Sequence, residues 1–247
     1  MARQARKQSE TGYFHVIVRG NGKQMLFEES SDYRYYLSLL ERYSEETTVA
    51  VCAYCLMENH VHLLLQDKES DLSLFMKKLG VSYSAYFNKK YERTGHLFQD
   101  RFLSEAVDDD PYFLTVYRYI IKNPQSAGIC SFNKYEWSSF SAYGAKDSFV
   151  DTSLISSMLG DPEHHFSFLS EEAEESCMEY DVSRMSDEKA VLLIRNKLGV
   201  SSGAALQQFD RKERDAAIVK LNRLGISERQ LERLTGISRR IIHDILW

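Results

Sequence analysis

Two apolar runs, Val49–Leu56 and His60–Gln66, are separated only by Met57-Glu58-Asn59. Each run suits a strand, and three residues between them suffice only for a tight turn. This stretch is therefore expected to be an antiparallel β-hairpin. His60 and His62 stand just past its turn with Val61 between them. Residues two apart on a strand share a face, so the imidazoles should stand side by side while Val61 points the other way. An H-x-H pair is common on strands for reasons unrelated to metal. Its weight here comes from its place at a hairpin rim, where two imidazoles form a two-point grip on a divalent ion that substrate can reach.

The elements around the hairpin alternate. Tyr13–Val18 reads as a strand closed by Arg19-Gly20-Asn21-Gly22, and Ser31–Tyr43 reads as a helix with aromatic and aliphatic residues at helical spacing. Leu72–Tyr91 is a second helix with Asp71 or Ser73 as its cap, and Gly95–Val107 is extended. Asp108–Asn123 is a third helix, with acidic residues at its positive end and Pro124 expected to stop it. The order βαββαβα predicts an α+β fold, an antiparallel sheet with helices packed on one face. In the third helix, Tyr112, Thr115, Val116, Tyr119 and Asn123 line one stripe. An amide ending an apolar stripe needs a partner, and its oxygen suits a hard divalent cation. With Asn123 as third ligand beside His60 and His62, the Tyr119 hydroxyl would lie close to the metal. That grouping points to phosphodiester chemistry with a tyrosine nucleophile.

Charge divides the chain. Residues 1–146 are net neutral, residues 147–186 hold ten acidic side chains against one basic, and residues 187–247 hold twelve basic against eight acidic. The expected organisation is a domain over 8–145, an acidic connector over 146–186 and an all-α module over 187–247. In the last, Arg211–Leu224 closed by Gly225, then Ser227–Thr235, the turn Gly236-Ile237-Ser238 and Arg239–Leu246 form a helix-turn-helix pattern. Ser238 is its expected N-cap, and Arg239 and Arg240 lead the recognition helix toward duplex DNA. Basic and aromatic residues interleave from Lys77 to Arg93, among them Lys89, Lys90 and Arg93, a pattern suited to single-stranded DNA. Arg101 and Lys122 fall near the proposed site in sequence and are further DNA contacts.

Several classes are excluded. No run of eighteen apolar residues is present, so no membrane span is expected. The basic Met1–Glu10 stretch lacks the apolar segment of a secretory signal, which leaves the cytoplasm as the expected compartment. Four cysteines do not make a disulfide framework in a chain of 247 residues. Cys52 and Cys55, three apart on a strand, are expected on opposite faces. No P-loop, Rossmann glycine pattern or zinc-deaminase signature occurs.

Four motifs in order carry a resemblance. Met57-Glu58-Asn59-His60-Val61-His62-Leu63 resembles the His-hydrophobic-His motif of single-tyrosine HUH transposases, and Gly95–Phe102 resembles their segment before the last strand. Tyr119-Ile120-Ile121-Lys122-Asn123-Pro124 is similar to their tyrosine-helix signature, and Trp137–Tyr143 resembles the closing motif of the branch associated with repetitive extragenic palindromes. The resemblance implies a ferredoxin-like or RRM-like fold over about residues 12–145. It also implies metal-dependent cleavage and rejoining of single-stranded or hairpin DNA through a 5′-phosphotyrosine. On that reading Tyr119 is the nucleophile and His60, His62 and Asn123 bind Mg²⁺ or Mn²⁺. It leaves open a monomer or a homodimer, a nuclease that uses water, and a regulator that binds DNA without cutting it.

Overall fold

The computed structural model describes residues 9–145, 147–171, 177–178, 187–200, 203–224 and 226–246. Gly225 and the glutamates at 172, 174 and 175 lie outside the described residues. The chain divides into two compact units, the first ending at Met178 and the second beginning at Glu179. Among the described residues no helix is long and apolar enough to cross a membrane.

The first unit runs β1 (Tyr13–Arg19), α1 (Ser30–Glu46), β2 (Val49–Met57), β3 (His60–Asp67), α2 (Leu72–Lys90), β4 (Leu103–Val107) and α3 (Asp110–Ser126). The strands form one antiparallel sheet in the order β2-β3-β1-β4. β2 and β3 join in the expected hairpin, and β1 pairs with β3 so that Ile17 faces His62 and Arg19 faces His60 across the ladder.

Helices occupy both faces of the sheet, whereas the sequence pattern led us to expect one. α1 and α2 pack on the face that bears Val16, Val18, Val61, Leu63 and Leu65. α3 packs on the opposite face, against Ala53, Cys55, Leu64 and Val107. The cause lies in the strands. Leu63, Leu64 and Leu65 are consecutive and all buried, so β3 carries no apolar/polar alternation and both of its faces need cover.

Two local expectations are corrected. A β-bulge between Val51 and Ala53 inserts Cys52 into the ladder. The extra residue resets the alternation, so Cys52 and Cys55 both join the core beneath α3. Pro124 does not stop α3, which continues to Ser126 with the proline inside. Proline's fixed φ is itself helical, and in the last turn only one backbone bond is forfeited. The other end of α3 follows expectation: Asp109 caps it by accepting from the Tyr112 N–H, and Pro111 occupies its first turn.

The outer edge of β2 is covered. The Leu56 N–H donates to the Trp137 carbonyl, and the Tyr54 N–H donates to the Ser139 hydroxyl at 2.9 Å. Trp137 stacks on Tyr33 of α1 with ring centres 4.5 Å apart. Beyond this strap, residues of the acidic stretch form α4 (Ser153–Leu159) and α5 (Pro162–Ser170), which send Ile155 and Leu169 into the core that contains α3. Asp161 and Pro162 start α5 as cap and first residue.

The second unit contains α6 (Asp187–Leu198), α7 (Arg211–Arg223), α8 (Glu228–Thr235) and α9 (Arg239–Leu246) around Ile194, Leu206, Ile218, Leu221, Leu231 and Ile242. Ser227 and Gln230 form a capping box at the start of α8, and Gly236, at φ 72°, ends it in the left-handed region. The last two helices thus begin and end near the positions expected from sequence. α6 had no counterpart in the sequence reading.

Candidate active site

The ladder register decides which side chains meet. Residues opposite one another on antiparallel strands point to the same face. His60 and His62 of β3 therefore share a face with Arg19, Ile17 and His15 of β1, and Glu105 of β4 lies opposite His15. This is the face that α3 covers, which brings Tyr119 and Asn123 onto the histidines.

The four residues singled out from sequence converge. The His60 and His62 rings are 5.0 Å apart and nearly perpendicular at 84°. The Tyr119 ring centre lies 5.3 Å from that of His62, and the Asn123 Nδ2 lies 3.4 Å from His62 Nε2. Tyr119 is half-buried, so its ring is not sealed in the interior, whereas Asn123 is buried. His60 is held from the hairpin turn, its Nδ1 donating to the Asn59 Oδ1 at 2.8 Å. That bond leaves Nε2 as the lone-pair nitrogen of a neutral ring.

Sequence reasoning missed three neighbours. His15 is fully buried, with Nε2 3.2 Å from His62 Nδ1 and its ring 5.8 Å from that of Tyr119. Arg19, nearly buried, ends β1 opposite His60. Glu105 accepts a hydrogen bond from the Tyr112 hydroxyl at 2.5 Å. Only strand pairing across distant segments puts these on the histidine face, and no local pattern announces it.

The electrostatics keep His15 and His62 neutral. Burial pushes His15 down to about 3. Burial, with the neighbouring His15 and His60, pushes His62 well below its ordinary value. Neutral imidazoles offer lone pairs, which is the state a metal ligand needs. Among the described residues, no three His, Cys, Asp or Glu side chains gather as a metal site. The amide that meets His62 at this point is Asn123, and its oxygen is of the kind a hard divalent cation takes. Two imidazole nitrogens and an amide oxygen, with positions left for water and phosphate, form a donor set suited to Mn²⁺ or Mg²⁺.

The basic residues singled out for DNA are scattered. Arg101 is exposed beside a cavity of about 840 Å³ lying between α2 and residues 95–102, away from the histidines. Lys122 donates to the Glu171 carbonyl at 2.9 Å. Lys89 is exposed on α2, whereas Lys90 donates to the buried Asp32 at 2.6 Å and lies 5.0 Å from the Tyr91 ring centre. Arg93 bonds the Gln24 side chain. In the second unit, Arg239 pairs with Glu228 at 3.6 Å and Arg240 is exposed.

Comparison with known proteins finds likeness over the part of the chain that holds this site. Residues 8–123 match the family described as "Transposase IS200 like". No curated protein is significantly similar in sequence. Among solved structures, a REP-associated tyrosine transposase bound to a REP hairpin shares the fold with a TM-score of 0.51 and 17% identity, over 59% of this chain and 87% of that one. The matched segment contains β1 through Asn123 and hence the histidine pair, the tyrosine and the amide, and over it this chain is similar to the IS200-like transposases.

Proposed function

We propose that the first unit is a metal-dependent endonuclease and strand transferase acting on single-stranded or hairpin DNA, with Tyr119 as nucleophile. The observation that carries this reading is the meeting of Tyr119, His60, His62 and Asn123 on one sheet face. The Tyr119 and His62 ring centres are 5.3 Å apart there. Tyr119 Oη attacks a backbone phosphorus, the bond from phosphorus to the 3′ oxygen breaks, and a 3′-hydroxyl leaves as it takes up a proton. The product is a 5′-phosphotyrosine. A second 3′-hydroxyl can reverse the step on another end, so strands are rejoined without a nucleotide cofactor.

A free phenol titrates near pH 10, so at neutral pH the nucleophile needs help. His60, His62 and Asn123 would hold Mg²⁺ or Mn²⁺, which when bound polarises the scissile phosphate and stabilises the departing oxygen. The remaining work falls to the chain itself. α3 keeps Tyr119 and Asn123 one turn apart, Asn59 orients His60, and the sheet supplies a rigid floor. The hairpin carried by the REP-associated relative supports hairpin DNA as substrate. The pair α8–α9, with the exposed Arg240 at its second helix, supports duplex DNA as partner of the second unit. On this reading residues 8–145 hold the chemistry and residues 187–247 hold the duplex.

The test is to incubate the protein with Mn²⁺ and end-labelled single-stranded DNA carrying a hairpin, then denature. A protein–DNA band that survives denaturation and disappears with Tyr119→Phe is the expected result. Cleavage without such a band would instead identify water as the nucleophile. Binding without cleavage would identify a DNA-binding regulator.

A further inference from the structure

His15 is anomalous where it stands. It occupies the middle of the strand Tyr13–Arg19, among Val16, Ile17 and Val18, and none of its surface is exposed. Its Nδ1 is buried and makes no hydrogen bond. An apolar side chain at this position would strand no polar atom, so the ring's other nitrogen must account for its presence. That nitrogen, Nε2, lies 3.2 Å from Nδ1 of His62, and the two rings are near parallel at 25°.

The proton between them can be assigned. The Asn123 amide nitrogen, 3.4 Å from His62 Nε2, can only donate. His62 Nε2 must therefore be the lone-pair nitrogen, and in a neutral ring the proton then sits on Nδ1. His62 Nδ1–H donates to His15 Nε2, and the proton of His15 is driven onto its own Nδ1, the atom with no acceptor. The reverse arrangement puts a proton on His62 Nε2 and requires the Asn123 amide to turn its oxygen, in place of its nitrogen, toward that ring. The orphaned His15 Nδ1 is the cost of this arrangement, and the amide contact is what assigns it.

We propose that His15 is the positioning residue of this site. As a buried neutral acceptor, it holds His62 in the tautomer whose Nε2 lone pair is turned toward Asn123 and available to a divalent cation. This rests on reading His60, His62 and Asn123 as the ligands. His15 touches neither the cation nor DNA. It resembles the outer partners that fix the tautomer and ring direction of metal-binding histidines elsewhere, with an imidazole in place of the commoner carboxylate or carbonyl.

Two measurements test it. Long-range ¹H–¹⁵N correlation spectra of the metal-free wild-type protein report the tautomer of His62 without any substitution. A proton on Nδ1 is expected, and a proton on Nε2 overturns the proposal. Mn²⁺ titration followed by electron paramagnetic resonance then compares variants. His15→Phe, which keeps the ring volume and removes the acceptor, is expected to weaken Mn²⁺ binding by about 10- to 100-fold. His15→Gln, which retains an acceptor, should recover part of that loss. Unchanged affinity in a folded His15→Phe protein overturns the positioning role and leaves the site itself standing. Should His15→Phe fail to fold, the wild-type spectra and His15→Gln decide the matter. If wild-type protein neither binds Mn²⁺ nor forms an adduct with DNA, the reading of the site fails instead, and this inference falls with it.

Discussion

The two faces of the sheet are built for different ends. The face under α1 and α2 is a dense aliphatic and tyrosine core whose main buried charge, Asp32, is fully satisfied. Asp32 accepts from Lys90, Tyr86 and Tyr91 and from the Glu28 and Glu29 N–H groups. The face under α3 buries three polar side chains in contact, His15, His62 and Asn123, and leaves the His15 Nδ1 without a hydrogen bond. A stability optimum would not look like this. The imbalance marks the second face as the one shaped by chemistry, since strained or unsatisfied groups persist mainly where they serve a site.

The comparison is broken most easily at Tyr119. Tyr119→Phe should lower covalent adduct formation by on the order of 10³-fold or more while leaving the melting temperature and DNA affinity near wild type. An adduct at the wild-type level would move the chemistry to another residue. On the opposite face, Leu63→Ala removes a fully buried side chain and should cost about 2–5 kcal/mol in denaturant unfolding. Adduct yield per folded molecule should be unchanged. If it falls instead, the faces are not separable.

Acid should separate the faces further. On the α3 side His165, nearly buried, bonds the Tyr117 hydroxyl at 2.9 Å and stacks on Tyr143 at 3.8 Å. Burial pushes it down to about 4. A histidine that is harder to protonate folded than unfolded loses stabilisation as pH falls from about 6.5 toward 4. On the other side, burial raises the Asp32 carboxyl, but the Lys90, Tyr91 and backbone hydrogen bonds outweigh it and hold it at about 2. A carboxylate so depressed keeps its full contribution above about pH 4 and loses it as pH falls toward 2. Urea unfolding across pH 2–7 should therefore show a slope in the upper window, to which His15 and His62 also contribute, that His165→Gln reduces. The lower window should hold a slope that Asp32→Asn flattens. The smallest effect belongs to the second unit. Ser227→Ala removes the α8 cap and should cost about 1 kcal/mol there, with no change in adduct yield.

Much of this was legible in the chain because it is local. The hairpin, the histidine pair and the Tyr119–Asn123 stripe each depend on periodicities of two or about four residues. His15 was not legible. In Tyr13–Val18 it is one polar residue in a strand, and only pairing with a segment nearly fifty residues away shows what it faces. Cys52 escaped because a bulge leaves no signature in the alternation. α4 and α5 were obscured by the negative charge of their stretch, which hides the few inward residues, Ile155, His165 and Leu169. Pro124 misled because α3 tolerates it inside its last turn, losing one backbone hydrogen bond and running on to Ser126.

Asn59 joins two duties in one residue, one through its main chain and one through its side chain. Its carbonyl accepts the Gly20 N–H that closes the exit of β1, and its Oδ1 holds His60. Replacing it with glycine, welcome in tight turns, would keep the main-chain bond that closes the hairpin and set the His60 ring loose. Selection for a sturdier loop and selection for a working enzyme therefore disagree at this one position.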